Sequence, residues 1–279
     1  MRYTIENDEM IAEIDSLGAE LRVLRSKADG HDYLWSGDPA VWAGVSPILF
    51  PFVGGVKNDS YRYNGTTYAM KKHGFARKSA FTPLVDVGSA LIMTLKSTPK
   101  TLACYPFPFR LDVRFQLDGT QLTAAHIVTN EGDEDMWFSL GAHPALACNL
   151  GDILRFEKPE TLDAYRLDDD LLGRQEPFLR NETEWRIKAD SFLEDAQILE
   201  NPASRVITLE RQTGRNVRFT FNTPYLGIWA KPGAPYVCLE PWFGVDDTPD
   251  HNGELTEKRG VQRLSPGDSL MLTYKIGAL

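Results

Sequence analysis

Apolar residues that alternate one for one with polar ones, in short runs closed by Gly-containing turns, restrict this chain to one kind of architecture. Leu17, Ala19, Leu21 and Val23 alternate with polar partners, as do Leu111, Val113, Phe115 and Leu117. Val217, Phe219 and Phe221, and then Leu270, Leu272 and Tyr274, keep the same period. A period of two puts the apolar side chains of a strand on one face, so each run reads as a half-buried strand. Asp29-Gly30, Asn64-Gly65, Asp118-Gly119, Thr213-Gly214 and Pro266-Gly267-Asp268 supply the turns between such runs. Asn64-Gly65, set between Tyr61-Arg62-Tyr63 and Thr66-Thr67-Tyr68, predicts a two-residue hairpin, because both central positions tolerate positive φ. Helical periodicity is confined to short polar stretches near Asp38 to Trp42 and Lys188 to Phe192. The expected fold is all-β, a large antiparallel β-sandwich with few short helices. No Pro/Ser/Gly-rich linker, composition shift or repeat divides the sequence, so residues 1–279 are expected to form a single domain.

Composition removes several functions. The net charge of −9 repels phosphate backbones, which argues against a nucleic-acid partner and favours neutral ligands. No apolar run approaches the ~18 residues of a membrane span, and the start of the chain lacks an apolar signal core. A cytoplasmic protein with no membrane partner, monomeric or homodimeric, is the expectation. Cys104, Cys148 and Cys238 are too few and too scattered for a disulfide framework and read as buried free thiols. HxH, HExxH and CxxC spacings are missing, so a metal would require His73, His143 and Glu240 to converge through the fold; no metal and no cofactor are expected. GxSxG is missing too, which leaves a nucleophilic serine unsupported.

The chemistry-bearing segments are His73-Gly74-Phe75-Ala76-Arg77, Ala142-His143-Pro144 and Leu239-Glu240-Pro241-Trp242. They offer two imidazoles and a carboxylate, groups able to exchange protons near neutral pH without a metal. Each also has a structural reading: His143 as a strand-end residue bonded to backbone, His73 as a turn cap, Glu240 as one half of a buried ion pair with Arg77. His31 and His251 lie in polar, turn-like stretches and read as surface residues, and His126 as a strand residue. The acidic run 168–170 and the segment 181–184 read as solvated loop faces.

Five motifs in order resemble the aldose 1-epimerase (galactose mutarotase-like) superfamily, and within it the LacX-type branch. They are Ser46-Pro47-Ile48-Leu49-Phe50-Pro51-Phe52-Val53-Gly54, His73-Gly74-Phe75-Ala76-Arg77, Gly141-Ala142-His143-Pro144, Tyr225-Leu226-Gly227-Ile228-Trp229-Ala230-Lys231-Pro232 and Cys238-Leu239-Glu240-Pro241-Trp242. The resemblance implies a many-stranded supersandwich with a free aldohexose in a cleft. It implies His143 as general acid, Glu240 as general base and His73 as a second, sugar-binding histidine. Many relatives carry Arg where this sequence has Gly55, and Lys57 or Arg77 is the expected replacement cation. Asp195 is the leading candidate for the binding Asp, with Asp190 behind it. Trp229, Trp242, Phe75 and Phe50 would offer flat apolar faces to sugar C–H surfaces, and Lys231 completes the candidate binding set.

Anomer exchange needs a proton taken from the C1 hydroxyl and another delivered to the ring oxygen, and this role for His143 requires it to carry a proton at rest. Three alternatives remain at this stage. One is a catalytically weak carbohydrate-binding or sensing protein, suggested by Gly55. A second is glycoside hydrolysis using Asp195 with Glu240. The third is epimerisation of a hexose 6-phosphate, for which Lys57, Lys71, Lys72, Arg77 and Lys231 are the cations near the motifs.

Overall fold

The computed structural model describes residues 1–279, except for the side chain of Asp86. Fifteen strands join into one antiparallel sheet. Its order runs from Ile48–Leu49 through Leu140–Ala142, Tyr236–Phe243, Tyr225–Trp229, Gln197–Glu200, Ile153–Asp168, Val206–Glu210, Val217–Phe221, Ser269–Ala278, Gln121–Asn130, Phe109–Asp118 and Ala90–Lys96 to Thr82–Val87. Ala145–Ala147 pairs with Tyr236–Phe243, and Leu171–Arg186 with Ile153–Asp168, beside this path. A second sheet, Arg2–Glu6, Met10–Asp15 and Glu20–Ser26, contributes Ile5, Met10, Ile14, Leu21 and Leu24 to the same core as Leu91, Met93 and Phe115. The result is the large antiparallel β-sandwich that the alternation implies.

The strand Phe109–Asp118 shows how the period works. Phe109, Leu111, Val113, Phe115 and Leu117 are all buried, while Arg114, Gln116 and Asp118 face solvent. Each fully buried large side chain of this kind contributes about 1.5–3 kcal/mol of transfer free energy. The Asn64-Gly65 hairpin forms as expected, with φ of 47° and 74°, between Ser60–Tyr63 and Thr66–Ala69.

Two expectations change. Residues 17–19 are not strand: Gly18 and Ala19 turn at φ 73° and 45°, Leu17 is exposed, and the strand begins at Glu20. Arg22 is an extra residue between the pairs Ile14↔Leu21 and Glu13↔Val23, and this bulge in the strand itself breaks the simple alternation, so that Leu21 and Leu24 are buried rather than Leu21 and Val23. The two helical stretches are turns. Near 38–42 a single α-turn closes, with the Trp42 N–H donating to the Asp38 carbonyl at 2.8 Å; near 188–192 the Lys188 N–H donates to Ser191 Oγ at 2.9 Å. Stretches this short and polar do not repay helix nucleation. Among the described residues the one α-helix is Pro99–Leu102, and no helix is long and apolar enough to cross a membrane.

Candidate active site

The strand Tyr236–Phe243 is the spine of the site. Leu140–Ala142 pairs with it at Gly141↔Trp242, and Ala145–Ala147 at Ala145↔Cys238. Both pairings belong to one register, so the intervening His143 falls opposite Glu240. Pro144 and Pro241 have no N–H to continue the ladder there, and the local gap in pairing frees both side chains to converge. His143 Nε2 stands 3.2 Å from Glu240 Oε2, near enough for proton exchange though not aligned as a hydrogen bond, and His143 Nδ1 has no partner.

These groups open onto a cavity of about 510 Å³, within the ~300–1,000 Å³ typical of small-molecule sites. His143 is packed between Trp42, at 5.1 Å between ring centroids, and Trp229, at 5.6 Å. Trp242 forms a third aromatic wall. A Cβ on Gly141 would come within 2.7 Å of the Trp242 ring and one on Gly227 within 2.8 Å, so the two glycines make the slot in which the indole sits.

His73 joins them from the turn after Thr66–Ala69, at φ 67°. Its Nδ1 accepts the Gly54 N–H at 3.1 Å, which leaves the proton of the neutral ring on Nε2. Its ring lies 6.0 Å from that of His143.

Asp246 was not singled out by sequence reasoning, and it is 1% exposed on the cavity wall. Its Oδ1 accepts the Gly55 N–H at 2.6 Å, and its Oδ2 has no partner. Lys72 is the cation facing these acids, in an ion pair with Asp170. Gly55 is tightly enclosed: a Cβ there would lie 2.0 Å from the Asp170 carbonyl oxygen. The long hairpin of Ile153–Asp168 and Leu171–Arg186 thus brings its tip over Gly55, and Asp169 and Asp170 turn it at φ 47° and 64°. The acidic run is exposed, as expected, yet Asp170 reaches the site, which a reading of charge alone could not show.

Burial dominates the electrostatics. It pushes His143 down to about 3, and it drives His73 well below its ordinary value, with His143, Arg77 and Lys72 adding to the effect. The Glu240 carboxyl is raised well above the usual range, chiefly by burial, with Lys72 opposing. Burial thus favours the neutral imidazole of His143 and the protonated carboxyl of Glu240 over their charged forms. Desolvation therefore works against the proton that the acid role asks His143 to carry.

His73, Arg77, His143, Asp195, Trp229, Glu240 and Trp242 all line the cavity. Lys57 and Lys231 do not: Lys57 Nζ donates to the His251 carbonyl at 2.9 Å and Lys231 Nζ to the Val41 carbonyl at 3.0 Å. Phe50 and Phe75 pack against each other at 6.0 Å, away from its wall. The alternative structural reading, a Glu240–Arg77 ion pair, does not form; Arg77 donates to the Lys72 carbonyl at 3.3 Å. Trp42, Lys72 and Asp246 also line the wall, and of these only Lys72 carried a sequence signal, its proximity to His73. Donor atoms of His143, Cys238 and Glu240 lie within 4.8 Å of one another, a set able to face a metal ion. Burial raises both the Cys238 thiol and the Glu240 carboxyl, so a metal would have to displace two protons there.

The sequence profile of the aldose 1-epimerase family matches residues 1–267. The chain belongs to that family. Within it, the chain is 31% identical over the full length of both sequences to the plasmid-encoded protein LacX of Lactococcus lactis. Its fold superposes with a TM-score of 0.95 on a galactose mutarotase-like protein from Lactobacillus casei, 30% identical with both chains fully covered. A galactose mutarotase related enzyme from Lactobacillus acidophilus gives 0.94 at 29% identity, covering 100% of this chain and 97% of that one. This aldose 1-epimerase family member keeps its two imidazoles and its carboxylate in one cavity, and it has Gly55 enclosed by the hairpin tip.

Proposed function

We propose that the protein is a mutarotase that interconverts the α and β anomers of a free, neutral aldose, with Glu240 and His143 as the proton-exchanging pair. The observation that carries this reading is the 3.2 Å approach of His143 Nε2 to Glu240 Oε2 at the bottom of a tryptophan-walled cavity.

The pair holds one transferable proton. Bound sugar hydroxyls, with Lys72 nearby, stabilise the form in which that proton has moved to His143 and Glu240 is a carboxylate. Glu240 then takes the C1 hydroxyl proton, the O–H electrons form the C1 carbonyl, the bond from C1 to the ring oxygen breaks, and His143 protonates that oxygen. The open-chain aldose is left beside neutral His143 and protonated Glu240, the arrangement burial favours, so the pair ends in the form in which it began. Rotation about C1–C2 and the reverse transfers close the ring on the other face. Each positioned group contributes roughly 10²–10⁴ in rate. His73, with its proton on Nε2, Asp195 and Asp246 supply orienting hydrogen bonds, and the indoles supply apolar faces.

The cavity's cations are Lys72 and Arg77, against the acids Asp195, Glu240 and Asp246. This balance supports a neutral sugar over a hexose 6-phosphate. Polarimetry of freshly dissolved α-glucose, α-galactose and α-glucose 6-phosphate tests the reading. Faster relaxation with a neutral aldose supports it. Acceleration confined to the phosphate ester would overturn the substrate class, and binding without acceleration would make the protein a sugar-binding module.

A further inference from the structure

A second concavity, of about 320 Å³, shares no lining residue with the first. His31, Ser36, Asn149, Arg211, Thr213 and Arg215 supply its polar wall. Arg211 is 7% exposed, and its Nε has no hydrogen-bond partner. Its Nη2 donates to the Tyr33 carbonyl at 3.2 Å, and its guanidinium lies 5.6 Å from the centre of the Tyr33 ring. Neither contact supplies a counter-charge, and a buried cation without one is unfavourable.

His31 sits between the two guanidiniums. Arg211 Nη1 is 2.9 Å from His31 Nε2, and Arg215 Nη1 is 3.1 Å from His31 Nδ1. A neutral imidazole accepts at one nitrogen only, so one of these contacts sets N–H against N–H. Protonation of His31 would add a third cation, and burial together with both arginines holds its pKa below the ordinary value.

The surrounding carboxylates make their direct contacts elsewhere, although the charge of Asp152 still favours the Arg211 cation. Asp152 accepts the N–H groups of Asn149 and Gln212 at 2.8 and 3.0 Å, and Asp32 is paired with Arg25 at 2.9 Å. Asp29 reaches Arg215 at 3.0 Å from a half-exposed position. Arg211 forms no ion pair among the described residues.

We infer that this concavity is an oxyanion site that takes a phosphate group, with the guanidiniums of Arg211 and Arg215 as donors and His31 between them. A planar guanidinium presents paired N–H donors that match phosphate oxygens, and an anion there supplies the direct ion-pair partner that Arg211 lacks. Inorganic phosphate and the phosphate of a sugar ester share this chemistry. The site does not depend on the proposed mutarotase activity.

Isothermal titration with inorganic phosphate, glucose 6-phosphate and glucose tests the inference on the wild-type protein and on Arg215→Gln, Arg211→Gln and Lys72→Met. Thermal melting checks that each variant is folded. Saturable phosphate binding, weakened about tenfold or more in the arginine variants and unchanged in Lys72→Met, is expected. Arg215 is half exposed, so its variant remains informative if loss of Arg211 prevents folding. Equal affinity for the two phosphates identifies the anion alone as ligand, and tighter binding of the ester identifies a phosphorylated sugar. No saturable phosphate binding, or binding lost in Lys72→Met and kept in Arg215→Gln, would overturn the inference.

Discussion

The carbonyl oxygen of Asp170 stands 2.0 Å from where a Cβ of Gly55 would lie, so the hairpin tip and Gly55 define one another. Any side chain larger than hydrogen at this position would push the tip away. Gly55→Arg is expected to displace the tip, break the Lys72–Asp170 pair and destabilise the fold by about 1–3 kcal/mol through overpacking. Thermal denaturation reads the loss of stability, and polarimetry reads an accompanying rise in KM.

Lys72 is the cation that the hairpin tip positions over the acids of the cavity. Lys72→Met keeps much of the stem but removes the charge that lowers the Glu240 carboxyl. Saturation kinetics should show KM for a neutral aldose rising about tenfold, a loss of ~1.4 kcal/mol of binding. Asp170→Asn should shift KM in the same direction but by less, since a largely exposed pair is worth only ~0–1 kcal/mol. Unchanged KM in both variants would remove Lys72 from the binding set.

His126 offers a pH test away from the site. It is buried beside Tyr274, 5.8 Å between ring centroids, and burial pushes it from 6.5 down to about 3. The unfolded chain therefore binds a proton below pH 6.5 that the folded chain refuses. Its contribution to stability is present above pH 6.5 and is lost as pH falls towards 3, at about 1.4 kcal/mol per pH unit. Urea unfolding at a series of pH values should show this acid slope reduced by about one proton in His126→Leu. An identical slope in both proteins would show that His126 titrates normally in the fold.

The parts of the fold legible in the sequence were those where one period runs uninterrupted. Phe109–Asp118 and Val217–Phe221 could be read because every second residue enters the core. Residues 17–23 misled because a bulge at Arg22 resets the face, and that depends on pairing rather than on local pattern. The same division holds in the site. His143 and Glu240 lie in rigid, Pro-flanked motifs that announce themselves, and one register brings them together. Asp246 and Trp42 gave no signal: Asp246 matters only because the Gly54-Gly55 backbone arrives beside it, and Trp42 only because a loop lays it against His143. Lys57 and Lys231 are close in sequence to the motifs, but their ammonium groups are held by backbone carbonyls off the cavity wall.

The most direct test of the account is the relaxation rate of freshly dissolved α-galactose and α-glucose, followed by polarimetry, with wild-type protein, Glu240→Gln and His143→Gln. Circular dichroism establishes that the variants are folded. The account predicts acceleration by the wild type with at least one of these sugars, and a loss of roughly 10²–10⁴ in each variant. Wild-type rates in a folded Glu240→Gln protein would contradict it.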